Sequence, residues 1–219
     1  MPLPYPPDAL ILDMDGTLLD TESIYVRSYM LAAAEIGRPL PEDFLHALIG
    51  APGPGFQVLV RERLGPDFPY EAHRARYLAL RAEMLAAGIA LKPGVLELLD
   101  AADEVGLPLA VATAATRENA ESHLGRAGIR GRFLHVVTRD DAAHAKPAPD
   151  IFLAAAAALR VRPAMCLAVE DSHNGVRAAV AAGMMTVMVP DMAPATAEIA
   201  ALCRAVLPDL FAVRALIGG

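Results

Sequence analysis

Asp13-Met14-Asp15-Gly16-Thr17 follows directly on the apolar run Ala9 to Leu12. Two carboxylates placed i and i+2 after a buried strand repel one another unless a proton or a cation satisfies one of them. A hard divalent ion held by oxygen ligands would meet that need. Taken alone, the segment is also a reasonable Asp-Gly turn closing a strand. A chance match arises in roughly one chain of this length in a few hundred, so the decision rests on the rest of the sequence.

Three later segments carry further candidate chemistry. Val111-Ala112-Thr113-Ala114-Ala115 puts a hydroxyl after an apolar run, where a lone Thr is ordinarily a helix cap or turn residue. In Lys146-Pro147-Ala148-Pro149-Asp150-Ile151-Phe152, Pro147 fixes the backbone after Lys146 and Pro149 suits the start of a helix. An isolated Lys is usually a solvated charge. Val169-Glu170-Asp171-Ser172 precedes Asn174-Gly175-Val176-Arg177, and its two acids would also be favourable at a helix N-terminus.

Short unalternating apolar runs at Ala9 to Leu12, Leu107 to Ala112, Phe133 to Val137, Met165 to Val169 and Met185 to Val189 predict strands buried on both faces. Segments with three-to-four apolar spacing lie between them, at Val95 to Val105, Arg117 to Ala127, Ile151 to Leu159 and Gly175 to Ala182. This alternation predicts an α/β fold with a parallel sheet flanked by helices. In such sheets ligands bind beyond the carboxyl ends of the strands, where Asp13 and Asp15 fall. Thr21 to Gly88 breaks the rhythm with no convincing strand. It reads as several helices, Tyr70 to Ala87 the longest, punctuated by Pro39, Pro41 and the Ala51 to Gly55 loop. Lys92-Pro93-Gly94 is the turn that returns the chain to the sheet.

The four segments, in order and each at a strand end, resemble the motifs of the haloacid dehalogenase superfamily. The resemblance spans Asp13 to Asp171 and, with the helical interval, nearly the whole chain. It implies a Rossmann-like catalytic core formed by residues 1–20 and 89–219, with an α-helical cap at 21–88, as in the phosphoglycolate phosphatase and β-phosphoglucomutase branch. It further implies a magnesium-dependent phosphatase acting on a small phosphorylated metabolite through an aspartyl-phosphate. In that scheme Asp13 is the nucleophile and Asp15 the general acid and base. Thr113, the Ala114 N–H and Lys146 hold the phosphoryl group, and Lys146 is a buried ammonium. Asp13, the Asp15 carbonyl, Glu170 and Asp171 serve the Mg2+ ion, Glu170 directly or through water.

Within the branch, dehalogenases lack the second Asp, which this chain keeps as Asp15. Phosphonoacetaldehyde hydrolases use a cap Lys, and the interval from Thr21 to Gly88 contains none. A phosphosugar mutase is the alternative enzyme, weakened because Tyr25 stands where those mutases carry a His. A phosphoacceptor or binding module on the same fold is the non-enzyme alternative. Specificity candidates in the cap are His46, Arg61, Arg63, His73, Arg74 and Arg76, with the Ala51 to Gly55 loop as a further one. Thr21 and Glu22 suit capping of the first cap helix.

The 219 residues are enough for a sizeable core, and 55% are apolar with only 5% aromatic, as in an Ala-rich helical protein. A net charge of −7 argues against nucleic acid as a partner. Cys166 and Cys203 offer neither a disulfide framework nor a zinc site. No apolar run reaches the about 18 residues of a membrane span, and no leader is evident. The expectation is a cytoplasmic protein, a monomer or weak homodimer.

Overall fold

The computed structural model describes residues 3–41, 44 and 60–217. The strands and α-helices lying wholly within them include β1 (Ala9–Leu12), α1 (Thr21–Glu35), α2 (Tyr70–Ala87), α3 (Val95–Glu104), β2 (Leu109–Ala112), α4 (Arg117–Arg126), β3 (His135–Val137), α5 (Asp150–Leu159), β4 (Cys166–Glu170), α6 (His173–Ala181), β5 (Met185–Met188), α7 (Ala197–Leu202), β6 (Ala205–Val206) and α8 (Leu210–Ile217). The chain divides into two compact units, Met1–Asp20 with Ile89–Gly219, and Thr21–Gly88.

In the first unit the strands form one parallel sheet in the order β3-β2-β1-β4-β5-β6. β1 is central. The chain builds outward from it to β3, then crosses back to place β4 on its other side. That reversal opens a crevice at the carboxyl ends of β1 and β4, the place where ligands bind in open α/β sheets. Every residue of β1, β2, β4 and β5 is buried, which is why these strands read as mainly apolar runs without alternation. Ala9, Ile11, Ala110, Ala112 and Ala168 form one small-residue face, covered by Ile151, Phe152, Ala155 and Ala156 of α5 and by Ala178 and Ala179 of α6. Small side chains on both layers let helix and sheet approach closely.

The structure adds elements that sequence periodicity does not mark. β6 consists of a half-buried Ala205 and an exposed Val206, and α7 and α8 flank it in sequence. α6 begins at His173 rather than Gly175, because the Ser172 hydroxyl accepts from the Gly175 N–H and caps the helix. α5 begins at Asp150, with Pro149 as its N-cap.

In the second unit α1 packs along α2. Ala33, Leu40, Phe44, Val60 and Phe68 form the unit's own apolar cluster. His73, 3% exposed, donates from Nε2 to the Tyr29 carbonyl at 2.9 Å and lies edge-on to the Tyr29 ring. Burial lowers its pKa below the ordinary imidazole value. Among the described residues no helix is long and apolar enough to cross a membrane.

Candidate active site

β1 delivers Asp13 to the crevice. Its N–H donates to the Val169 carbonyl of β4 at 3.0 Å, so the sheet ladder continues through this residue and fixes its backbone. The chain then turns tightly. Leu18 and Leu19 both donate to the Met14 carbonyl at 2.9 Å, and Gly16 donates to Leu19 at the same distance. Gly16 has φ 84°, and a side chain there would strike the Asp171 carboxylate, so the turn needs glycine for both reasons. Asp15 is half-buried within this turn and bridged to Leu19.

Lys146 reaches the same point from the loop before α5. Its Nζ donates to Asp13 Oδ1 at 2.6 Å, to Glu170 Oε1 at 2.5 Å and to the Ala112 carbonyl at 3.0 Å. The ammonium lies 5.0 Å from the centre of the Phe152 ring, an attractive placement for a cation. All three donor positions of the ammonium are thereby used, and its side chain is 8% exposed. Burial opposes the charge, yet the adjoining Asp13 and Glu170 carboxylates outweigh it and hold the Lys146 pKa above the ordinary value.

Glu170 ends β4 and is fully buried. Its Oε2 accepts from the Asp171 N–H and Ser172 N–H at 3.1 Å and from the Ser172 hydroxyl at 2.9 Å. Gly175, in the first turn of α6, leaves the space this carboxylate occupies; any Cβ there would overlap it. Asp171 follows, its Oδ1 accepting from the Thr17 hydroxyl at 3.2 Å.

Asp13, Glu170 and Asp171 each offer a carboxylate oxygen within 4.8 Å of one another. One ammonium cannot balance three carboxylates. Burial, with Glu170 and Asp15 nearby, pushes Asp13 up to about 8 despite Lys146. Burial and the neighbouring Glu170 and Asp13 raise Asp171 well above the carboxylate range. An electron-rich oxygen cluster that resists ionisation on its own is suited to a hard divalent cation. The donor set therefore fits magnesium.

Thr113 is buried just beyond β2; its N–H donates to the Val137 carbonyl at 3.0 Å and its hydroxyl accepts from the Ala115 N–H at 3.0 Å. Ala114 is exposed beside it. The structure thus brings Asp13, Lys146, Glu170 and Asp171 into one cluster, with Asp15 and Thr113 at the same strand ends. Sequence reading assigns no role to Thr17 or Ser172, whose hydroxyls orient Asp171 and Glu170. The Ser172 cap position is the one signal that could have found the second.

Of the cap candidates, His46 and the Ala51 to Gly55 loop lie outside the described residues. His73 is buried in its own unit against Tyr29. Arg76 pairs with Glu35 and Glu83, and the Arg61 guanidinium lies over the Tyr70 ring at 5.1 Å. Those three side chains are engaged within the helical unit.

Comparison with known proteins adds the lineage. A family model of haloacid dehalogenase-like hydrolases matches residues 7–183. The chain belongs to this hydrolase family. Protein CbbY (plasmid) of Cupriavidus necator is 38% identical over 203 residues, covering 83% of this chain and 78% of the relative. The putative phosphatase YhcW of Bacillus subtilis is 36% identical over 194 residues, 86% of each chain. The solved structure of a mutant CbbY from Rhodobacter sphaeroides, in complex with xylulose-(1,5)bisphosphate, superposes with a TM-score of 0.72 at 28% identity, over 93% of this chain and 95% of that one.

Proposed function

We propose that this hydrolase is a magnesium-dependent phosphatase of small phosphorylated metabolites, with a phosphorylated sugar as the favoured class. The observation that carries the reading is the buried Asp13 carboxylate, held by Lys146 and crowded by Glu170 and Asp171 at the crevice beyond β1 and β4. The phosphatase naming of YhcW and the bisphosphate ligand of the CbbY structure support the substrate class.

Asp13, Asp171 and the Asp15 carbonyl would hold the magnesium ion. Glu170 contributes through water, since its Oε2 already accepts three hydrogen bonds and its Oε1 serves Lys146. When bound, the ion supplies the positive charge that the cluster lacks and that a phosphate ester needs. Asp13 attacks phosphorus in line, forming an aspartyl-phosphate as the bond to the leaving oxygen breaks. Asp15 gives that oxygen its proton, then takes one from the water that attacks the acyl phosphate and releases inorganic phosphate. The Thr113 hydroxyl hydrogen, free to turn because its oxygen is the acceptor for Ala115, donates to a phosphoryl oxygen, and the Ala114 N–H is a second donor. Lys146 offsets charge through both half-reactions.

The test is Mg2+-dependent release of phosphate from p-nitrophenyl phosphate and a panel of sugar phosphates. Asp13→Asn should fold normally and lose turnover entirely. An Asp13→Asn protein that keeps a near wild-type rate overturns the reading.

A further inference from the structure

Of the nineteen Lys and Arg residues in this chain two are lysines, Lys92 and Lys146, and both hold aspartates. Lys146 belongs to the carboxylate cluster. Lys92 stands in the segment that re-enters the sheet unit, and its Nζ donates to Asp191 Oδ1 at 2.6 Å across 99 positions of sequence. The two side chains are 21% and 13% exposed.

We propose that Lys92 and Asp191 form a clamp that positions the Asp13 to Leu19 turn and, through it, the Asp15 side chain for proton transfer. The inference rests on the phosphatase reading, in which Asp15 is the acid and base. Lys92 and Asp191 are positioning residues in it and touch no substrate.

The path is a set of backbone bonds. The Lys92 N–H donates to the Leu18 carbonyl at 3.0 Å, and the Asp20 N–H to the Ala90 carbonyl at 2.9 Å. Leu19 is bridged to Leu91 on one side and to Asp15 on the other. The re-entering segment is thus bridged to the catalytic turn, and whatever anchors Lys92 anchors the turn. Asp191 anchors it from the segment that follows β5: two residues earlier, the Val189 N–H donates to the Glu170 carbonyl at 2.8 Å. The clamp therefore joins the turn bearing Asp13 and Asp15 to the strand ends that carry Glu170, by a route separate from the β1–β4 ladder.

The chemistry of the pair is asymmetric. Asp191 Oδ2 is buried and has no hydrogen-bond partner among the described residues. Lys92 is therefore the countercharge of that carboxylate, and removing it strands a half-buried charge. A general acid must sit within hydrogen-bond reach of the leaving oxygen, and a displacement of about 1 Å costs up to about a hundredfold in rate. A slack turn should accordingly lower kcat more than it changes KM.

The experiment compares Lys92→Met, Asp191→Asn and the double variant, reading kcat and KM with p-nitrophenyl phosphate, the melting temperature, and amide hydrogen exchange across residues 16–19 and 90–92. We expect each single variant to lose about tenfold in kcat with KM within about twofold, and faster exchange in both segments. The double variant should recover melting temperature, having no stranded charge, yet be no slower than the worse single variant. Unchanged kcat in both single variants, losses that multiply in the double, or a fall in melting temperature alone overturns the clamp. If Lys92→Met does not fold, Asp191→Asn and the double variant decide. A wild-type protein inert towards phosphate esters sinks the phosphatase reading, whereas unchanged exchange across 16–19 sinks the clamp whatever the activity.

Discussion

Asp13 carries two opposed demands. To be a nucleophile it must be ionised, yet burial and its acidic neighbours hold its pKa near 8. With the folded value above the unfolded 3.8, the folded protein keeps a proton that the unfolded chain releases between them. The contribution of Asp13 to stability is therefore complete below about 3.8 and is lost as pH rises through about 8. A divalent cation favours the ionised carboxylates and reverses this cost. The rise in melting temperature on adding MgCl2 should consequently be larger near pH 8.5 than near pH 6, where protons compete. Calorimetry at both pH values, with Asp13→Asn as control, measures it; an equal rise at both, or one unaltered in Asp13→Asn, contradicts the account. The order of the motifs puts Asp13, Lys146, Glu170 and Asp171 within reach of sequence reading. It does not reveal that Glu170 commits its oxygens to Lys146 and the β4–α6 loop, because that depends on atoms and not on residue types.

At the scale of elements, β4 and α6 are joined so tightly that the Glu170 carboxylate fills the space beside Gly175. Gly175 has no unusual backbone angle to explain its choice; it is a steric vacancy. Gly175→Ala should cost about 1–3 kcal/mol of overpacking and turn Glu170 away from Lys146. The expected result is a lower melting temperature together with weaker magnesium stabilisation, read in one thermal titration. A variant that loses neither would show that Glu170 can move without consequence. The strands most legible in the sequence are those buried on both faces, because burial leaves a mainly apolar run without alternation. β6, two residues long and partly exposed at the sheet edge, leaves no such run. Periodicity places the start of α6 two residues late because His173 and Asn174 favour no helix by themselves, and the Ser172 cap supplies what propensity does not.

At the scale of the whole molecule, every residue of the carboxylate cluster and its lysine comes from the unit made of residues 1–20 and 89–219. That unit has its own sheet and its own apolar core. The backbone leaves it at Asp20 and returns beside Ala90, with a 2.9 Å hydrogen bond between the two. Replacing residues 21–88 by a short Gly-Ser link should leave a protein that unfolds in one cooperative step and is still stabilised by magnesium. Circular dichroism with and without MgCl2 tests this, and a molten, metal-insensitive product would refute it. The lack of a strand-like apolar run in 21–88 is readable from sequence, whereas the pairing that brings Asp20 beside Ala90 is not, since neither residue type signals it.

That pairing has a consequence for descent. A segment whose ends meet imposes on the rest of the chain little beyond the entropy of closing a loop, which grows only logarithmically with length. Insertions, deletions and wholesale substitution between residues 21 and 88 can accumulate without disturbing a single rung of the sheet. The apparatus for breaking a bond and the surface open to drift are thus inherited on separate terms, divided where the chain leaves and re-enters the sheet unit.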